Sequence, residues 1–318
     1  MAPGRHRGAS RHRATGIAAA LLLLGVRATG AVPLPADTVF TGGGSPDSAS
    51  IRADTSEPIH ATRLTIVAGT MAAAMIGIHL YQESGWWRYN RTPFHFREDL
   101  TYGRSVDKIG HFYGTGLWAY SLRNVLRWAN VPDRSAMLLG SGGAFLFQTF
   151  VEVEDGFSAW GFDRVDFLCD LGGALWPVAQ YHSEALRAVD LKLSYKPSSL
   201  LNRSSGEGFV GQKHLVMDDY EGQTFWLSVP PERILPEGAA SIWPDFLRVA
   251  VGYGVRGVSD AWGGAYSVVF ISLDYDMKNI IPQTSRFLVT LSEVLDFIHF
   301  PAPAIRLSPS TVLYGLYY

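Results

Sequence analysis

Apolar residues in the first half of the chain predict four helices, because they form long runs or recur at helical spacing. The first run contains His79 as its only strongly polar residue. The predicted helices cover residues 64–81, 106–129, 133–153 and 163–187. Pro132 follows the second helix, and Asp133 is the expected N-cap of the third. Four apolar helices of this length favour a closely packed bundle.

Small residues and aromatic residues in the first helix region bear on its surroundings. Gly69, Ala73 and Gly77 share one helix face, where we expect another backbone to approach closely. Trp86 and Trp87 suit either an aromatic belt at a membrane surface or a buried aromatic cluster. The bundle itself suits either the interior of a soluble domain or contact with a membrane. Hydropathy favours membrane contact, because the first and third helices approach the ~20 residues that cross a bilayer.

After residue 190 the apolar residues alternate with polar ones, which is typical of half-buried strands. The predicted strands cover residues 191–195, 224–229, 246–253, 266–276 and 311–318. Residues 287–297 instead repeat leucines at helical spacing, and Pro301 and Pro303 end that helix. The predicted fold class is therefore α+β, with an N-terminal apolar four-helix bundle at 63–188 and a small strand-rich C-terminal part at 189–318.

The N-terminus has the pattern of an export signal. Four arginines precede an apolar run at residues 16–26, and Ala28 and Gly30 place small residues at −3 and −1 of a cleavage site. The run is too short for a membrane-spanning helix, which needs ~20 apolar residues. We therefore interpret residues 1–30 as a signal peptide. Residues 31–62, rich in Pro, Gly, Ser, Asp and Thr, are predicted to be a flexible exported leader.

Charge and cysteine content exclude several classes of protein. The chain has 27 basic and 29 acidic residues, and removal of the five arginines in the predicted signal leaves 22 basic residues and a formal charge of −7. An acidic protein without a basic run is a poor nucleic-acid binder, so we expect no nucleic-acid partner. The single cysteine, Cys169, excludes a disulfide framework and a cysteine-built zinc site. No cysteine lies near residue 30, so we expect no lipid-modified N-terminus.

Three pairs of polar residues interrupt the apolar helices, each with its members four positions apart. The pairs are Asp107 and His111, Gln148 and Glu152, and Asp166 and Asp170. Residues with this spacing share one helix face, so we expect the three pairs to meet inside the bundle. The predicted catalytic set, in which Lys108 supplies a counter-charge, is Asp107, Lys108, His111, Glu152 and Asp166.

Several carboxylates around one imidazole suit a divalent cation such as Mg²⁺, Mn²⁺ or Ca²⁺ better than structural zinc. The predicted ligands are His111, Glu152, Asp155 and Asp166. Alternatively, His111 acts as a general acid or base that Asp107 orients. A structural interpretation stays open as well. In it, aspartates near helix starts cap backbone amides, and the other groups form a hydrogen-bonded lock between helices.

The site residues lie in motifs that characterise a known family. The motifs are Asp107-Lys108-x-x-His111, Glu152-x-Glu154-Asp155-Gly156-Phe157-Ser158 and Trp160-Gly161-Phe162, followed by Asp166. They resemble the bacterial family called domain of unknown function 2279 (DUF2279), which includes small YfiM-like envelope lipoproteins. The segments at residues 219–228 and 301–304 are similar to longer members, so the likeness runs from about Leu64 to the C-terminus. The resemblance implies an exported envelope protein and supplies no established reaction.

A fainter resemblance is to VanZ-like membrane proteins. It rests on the Asp-Lys-x-x-His helix, a Glu preceded by Gln, and an Asp-x-x-x-Asn-x-x-Gly motif. Here Asp170 stands in place of the Asn, in Asp166-x-x-x-Asp170-x-x-Gly173. This change adds an acid where an amide is usual, so no role is transferred to that position.

The sequence therefore predicts an exported protein of the periplasm or cell envelope that associates with a membrane. Its expected partner is a membrane lipid or another envelope component. The predicted cluster either binds a cation or hydrolyses an envelope lipid or a lipid-linked substrate. The alternative is a non-catalytic scaffold or binding module, in which the same polar residues are a structural lock.

Overall fold

The structure is a computed structural model and describes residues 58–88, 90–203, 214–233, 235–258 and 264–318. The predicted signal peptide and most of the predicted leader lie outside the described residues. The helices are α1 (Ala61–Gln82), α2 (Val106–Trp128), α3 (Asp133–Gly156), α4 (Arg164–His182), α5 (Glu184–Arg187), α6 (Glu237–Ala240), α7 (Met277–Ile280) and α8 (Arg286–Leu295). A π-helical turn, Glu83–Trp87, directly follows α1.

Six strands form one antiparallel sheet, in which each strand pairs with its neighbours in the sequence. The strands are β1 (Asp190–Tyr195), β2 (Gln223–Val229), β3 (Leu247–Arg256), β4 (Tyr266–Tyr275), β5 (Ala302–Ser308) and β6 (Val312–Tyr317). Helices thus fill the first half of the described chain and the sheet fills the second half. The predicted α+β class is confirmed.

Three local features differ from the prediction. The strand that the sequence did not predict is β5. It tolerates Pro303 because its pairing with β6 is irregular between Ala302 and Ala304, so that proline removes no regular ladder hydrogen bond there. The N-cap of α3 is Pro132, whereas Asp133 forms ion pairs with two arginines of α2. The fourth helix ends at His182, and the separate helix α5 follows it.

Helices α2, α3 and α4 pack closely at glycines. A Cβ atom at Gly173 would lie 2.1 Å from the backbone oxygen of Phe112, and one at Gly140 would lie 2.7 Å from the backbone oxygen of Ala119. These positions therefore allow the backbones to approach. At Gly69 and Gly77 no such approach occurs within the described chain, because a Cβ at either position would meet none of its atoms within 4 Å.

Helix α1 is the most exposed of the apolar helices. Two helical segments are long and apolar enough to cross a membrane, Ala61–Trp87 and α3. Only 11% of the apolar window in the first is buried, compared with 44% in α3. Ile76 and Leu80 are 59% and 61% exposed, so α1 presents large apolar side chains that the rest of the described chain leaves uncovered. Helix α3 is more buried, but it too exposes large apolar side chains, such as Leu139 and Leu146.

The sheet curls strongly, so that one face is concave and the other convex. Tyr317 in β6 reaches Trp226 in β2, four strands away, with their ring centroids 6.0 Å apart. The concave face buries an apolar core and stacks Trp226 on His299 at 3.8 Å between ring centroids. On the convex face, Phe225 and Val255 pack against α2 residues such as Tyr113. This contact brings the strand-rich part next to the polar residues of the bundle.

Candidate functional site

A cavity of about 330 Å³ lies where the bundle meets β2 and the segment that precedes it. Its polar wall contains the residues predicted from the sequence, at the start of α2, the end of α3 and the start of α4. Its apolar wall is formed by residues of α1, α2 and α3 together with residues 216–225; among them are Ile78, Trp86, Trp118, Phe147, Val151, Met217 and Phe225. The cavity is therefore amphiphilic.

Lys108 is the centre of the first group of polar contacts. Its ammonium nitrogen lies 2.9 Å from a carboxylate oxygen of Asp107, 2.9 Å from Asp163 and 2.8 Å from Asp166. Asp163 also caps α4, because its other carboxylate oxygen accepts the backbone N–H of Val165 at 2.7 Å. One buried cation thus joins the start of α2 to the start of α4.

His111 is the centre of the second group. Its Nδ1 lies 3.2 Å from Asp170 and 3.7 Å from Glu152, whereas its Nε2 lies 3.9 Å from both Asp107 and Asp166. Asp170 is fully buried and accepts hydrogen bonds from Thr115 at 2.7 Å and from the amide of Gln148 at 3.2 Å.

Glu152 and Asp155, both on α3, have different surroundings. The Glu152 side chain is 2% exposed and accepts the backbone N–H of Asp163 at 3.2 Å. Asp155 accepts a hydrogen bond from the indole N–H of Trp87 at 2.6 Å. Neither carboxylate, nor that of Asp170, forms an ion pair with a lysine or arginine in the described chain.

The strand-rich part supplies one direct contact with the polar wall. The Tyr220 hydroxyl donates to Asp107 at 2.5 Å, and the ring of Tyr220 packs edge-on against Tyr102. Sequence reasoning missed Tyr220 as a site residue, because 113 positions separate it from Asp107 and no local spacing connects them. The only signal available was its place in the segment at 219–228 that resembles longer DUF2279 members.

The acids of the cavity outnumber its bases. Seven acidic residues line it (Asp99, Asp107, Glu152, Asp155, Asp163, Asp166 and Asp218), against three basic ones (Arg97, Lys108 and His111). Burial raises the pKa of Glu152 to about 9, helped by the neighbouring Asp155, Asp166 and Asp170, although the charge of His111 opposes the shift. Burial likewise raises the pKa values of Asp155 and Asp166 to about 7. The negative excess is thus relieved by bound protons at neutral pH.

The pKa values of His111, Lys108 and Asp107 shift toward their charged forms. Burial lowers the pKa of His111, but the charges of Asp170 and Asp166 outweigh it and hold the pKa well above its usual value. Burial also lowers the pKa of Lys108, and Asp107 and Asp166 raise it by more. For Asp107, burial raises the pKa, but His111 and Lys108 lower it below its usual range. His111 is therefore an imidazolium near neutral pH.

Two groups of three side chains have the geometry of cation ligands. One contains Asp107, His111 and Asp166, and the other contains His111, Glu152 and Asp170, with the ligand atoms of each group within 4.8 Å of one another. The first already surrounds the Lys108 ammonium, whereas the second holds no lysine. One carboxylate oxygen of Asp166, Oδ1, is buried and has no hydrogen-bond partner in the described chain.

The structure brings the five predicted catalytic residues together around the cavity: Asp107, Lys108, His111, Glu152 and Asp166. Of the predicted metal ligands, Asp155 lines the cavity but belongs to neither ligand group, and Asp170 takes its place beside His111 and Glu152. Asp163 bridges Lys108 and the helix start, and Thr115 and Gln148 hold Asp170. Trp87 is fully buried, which fits the aromatic cluster and not the membrane belt.

Comparison with known proteins bears on the helices that carry this site. No curated protein and no solved structure matches the chain. The resemblance to DUF2279 is confirmed over one segment, while the YfiM-like and VanZ-like resemblances stay predictions. Residues 95–182, which span α2, α3 and α4 and hold every predicted site residue, match the family model described as "Predicted periplasmic lipoprotein (DUF2279)", in keeping with an exported, periplasmic protein.

Proposed function

We propose that this envelope protein binds a divalent cation in exchange for protons, and that the cation holds the polar end of an envelope lipid or lipid-linked molecule. The observation that carries the proposal is the ligand group of His111, Glu152 and Asp170, within 4.8 Å of one another at the edge of an amphiphilic cavity. One imidazole with two carboxylates suits Mg²⁺, Mn²⁺ or Ca²⁺.

The charge balance of the cavity supports this exchange. Without a metal, the raised pKa values of Glu152 and His111 keep both groups protonated near neutral pH. A cation that binds between them must displace those protons, because only the carboxylate and the neutral imidazole are ligands. We therefore expect affinity to rise with pH, with protons released on binding.

The shape of the cavity supports an amphiphilic ligand. The polar side chains of Lys108 and His111 line the same cavity as the apolar side chains of Ile78, Trp118 and Phe147. A volume of about 330 Å³ is within the usual range of small-molecule sites. It accommodates a headgroup and the first part of an acyl or prenyl chain, but not a whole diacyl lipid.

Attachment to a membrane through α1 completes the proposal. A helix of 22 residues is about 33 Å long, close to the ~30 Å hydrocarbon core of a bilayer. The same helix contributes Ile78 and Gln82 to the cavity, and the π-helical turn that follows it contributes Trp86, so this segment connects the site to the membrane surface. Alkaline extraction of the membrane fraction tests the attachment: the protein should stay with the membrane, and its release into the soluble fraction would contradict it.

Cation binding is tested by titrating Mn²⁺ into the detergent-solubilised chain and following heat in two buffers of different ionisation enthalpy. We expect saturable binding with proton release, and affinity reduced tenfold or more in H111A and E152Q. D276N, in a buried ion-pair cluster of the sheet, is the matched control and should bind as the native chain does. Binding that is absent, or that survives both site variants, overturns the proposal.

A second candidate function, metal-free acid–base hydrolysis, is favoured by Asp166. Its pKa of about 7 and its unpartnered Oδ1 suit a general base that takes a proton from water. The water oxygen then forms a bond to the ester carbon or phosphorus, the bond to the leaving oxygen breaks, and the His111 imidazolium donates its proton to that oxygen. Hydrolysis of envelope lipids that persists with a chelator and is lost in D166N would select this function over cation binding.

The third candidate is the structural lock, favoured by the three carboxylates around Lys108. It predicts that H111A lowers the unfolding temperature and changes nothing else. If H111A unfolds at lower temperature while no native preparation binds Mn²⁺ or releases a lipid product, the lock is the better account.

A further inference from the structure

The charged residues of the sheet are confined to one face, which also carries the apolar cluster around Trp226 and Phe270. All six charged residues of its strands lie on the concave face: Asp190, Lys192, Arg248, Arg256, Asp274 and Arg306. Sheets of soluble proteins place apolar side chains on the buried face and charged ones toward water. Here the charged residues are on the face that the sheet encloses.

Four of the six concave charges are ion-paired inside the curl. Lys192 lies 2.8 Å from Asp274 and 2.9 Å from Asp296, and Arg248 lies 3.0 Å from Asp190. These four strand residues are therefore satisfied inside the curl. Their placement is not a consequence of exposure to water.

The convex face is apolar, and within the described chain its middle is left partly exposed, whereas Phe225 and Val255 near one end pack against α2 and Tyr220. Leu227, Val251, Ile271, Ile305 and Leu313 are directly opposite one another on β2 to β6, so they form one row across five strands. The five side chains are between 39% and 75% exposed. No charged residue of the described strands interrupts this face. A row of this kind, on neighbouring strands ~4.8 Å apart, is about 19 Å wide.

We propose that the convex face of the sheet lies against the hydrocarbon of a membrane, with the row from Leu227 to Leu313 in contact with lipid. Alternation of apolar residues toward lipid with polar residues toward the interior is typical of transmembrane barrels, and this curled sheet shows the same alternation on its outer face. We commit to lipid as the occupant because the strands place all six of their charged side chains on the concave face and leave only uncharged ones on the convex face, of which the row is aliphatic. Exposed α1 shows that the same chain already has a second lipid-compatible surface.

This inference goes beyond the proposed function, because it concerns the strand-rich part and does not depend on the polar site. It also predicts how the protein lies. With both α1 and the sheet in contact with lipid, the strand-rich part rests on or in the bilayer and is not a soluble domain tethered above it.

The test uses the full chain in vesicles of phosphatidylethanolamine and phosphatidylglycerol, with Cys169 replaced by alanine and a nitroxide attached in I271C or, as a water-exposed control, E232C. We expect the label at 271 to collide more with oxygen than with a water-soluble nickel complex, and the label at 232 to show the reverse. High nickel accessibility at 271 overturns the proposal. Low accessibility to both reagents also overturns it, because a protein surface then covers the row.

A second measurement needs no substitution in the sheet. A phospholipid with a photoactivatable group in its acyl chain is added to the native chain, and modified peptides are located by mass spectrometry. We expect adducts on residues 247–256, 266–275 and 302–317 as well as on α1. Adducts confined to α1 overturn the inference while leaving the attachment of α1, and the proposed function, intact.

Discussion

The protein has two clusters of charged residues. They differ in the ratio of acids to bases and in whether a cavity adjoins them. At one end of the sheet, the buried Lys192 and Arg248 and the partly exposed Lys278 pair with four aspartates (Asp190, Asp274, Asp276 and Asp296), so that every acid has a lysine or arginine partner. In the bundle, Lys108 forms ion pairs with three acids. Glu152, Asp155 and Asp170 have no lysine or arginine partner in the described chain.

The acids of the two clusters respond differently. Burial raises the pKa of Asp296, but Lys278 and Lys192 outweigh it and lower the pKa to about 2. The pKa of Glu152, in contrast, is raised to about 9. The comparison teaches that burial of charge does not by itself mark a site. An excess of acids beside open space does, because protons or cations can enter to compensate it.

The largest expected effect comes from removing the central lysine of each cluster. K108M and K192M each leave buried carboxylates without their cation, which costs about 3–5 kcal/mol of stability. Mn²⁺ or mildly acid pH should restore much of the stability of K108M, because its cavity admits a cation or protons, but not that of K192M. Thermal unfolding in detergent, with and without Mn²⁺, measures both. Equal rescue of the two variants contradicts the comparison.

The next effect is the pH dependence of stability, measured with a chelator present. The folded pKa of Glu152 is about 9, above its unfolded value of 4.5. The contribution of Glu152 to the free energy of unfolding is therefore fully present below pH 4.5. It is lost as pH rises toward 9, by about 1.4 kcal/mol per pH unit. His111, Asp155 and Asp166 act in the same direction over parts of this range.

The control for this pH dependence is E152Q, which has no proton to lose and should show a flatter loss of stability between pH 5 and 9. Asp107 and Asp163 have lowered pKa values and weaken the fold only at more acid pH, below about their unfolded value of 3.8, so they leave this window unchanged. An E152Q slope as steep as that of the native chain rules out Glu152 as the buried proton carrier.

A smaller expected effect is the difference in Mn²⁺ affinity between variants of Asp170 and of Asp155, the two acids that are alternative cation ligands. We expect D170N to weaken Mn²⁺ binding by tenfold or more, because Asp170 lies 3.2 Å from His111 in the ligand group. D155N should change the affinity by less than about twofold, since Asp155 accepts from Trp87 and belongs to neither group. Calorimetric titration measures both, and the reverse order would restore the ligand set predicted from the sequence.

The smallest effect concerns the exposed helix. G77A should stabilise the chain by up to about 1 kcal/mol, because alanine favours a helix and its Cβ would meet no atom within 4 Å. G173A, with a Cβ 2.1 Å from the Phe112 backbone oxygen, should instead destabilise the bundle. Unfolding temperatures measure both. A destabilised G77A would mean that another backbone covers this face of α1.

The sequence predicted those parts of the site that depend on the spacing of residues along a helix. The spacing of Asp107 and His111 is local, and the small number of residues between Glu152 and Asp166 brings α3 and α4 together, so their meeting followed from periodicity. The contact of Tyr220 with Asp107 depends on how the sheet packs on α2, which no local pattern encodes. Asp155 shows the opposite error, since an acid near Glu152 in sequence turned out to bind an indole.

The fold was predictable for the same reason, and its errors have physical causes. Helices and strands followed from periods of 3.6 and 2, but β5 did not, because Pro301 and Pro303 conceal a strand whose irregular pairing tolerates proline. The small residues of α1 have the same spacing as those of close-packed helices, and spacing alone does not say whether a neighbour is present. The polarity of the sheet was readable only after register had assigned each strand residue to a face.

Residues of the segment 95–182 line one part of the cavity. Met217, Tyr220 and Phe225, which lie outside that segment, line another part. Proteins that share the first part can therefore differ in the residues of the second part without any change at Lys108 or His111. A relative that matches this chain only over the helices would therefore keep the ion pairs of Lys108 but could have a cavity of different size and shape.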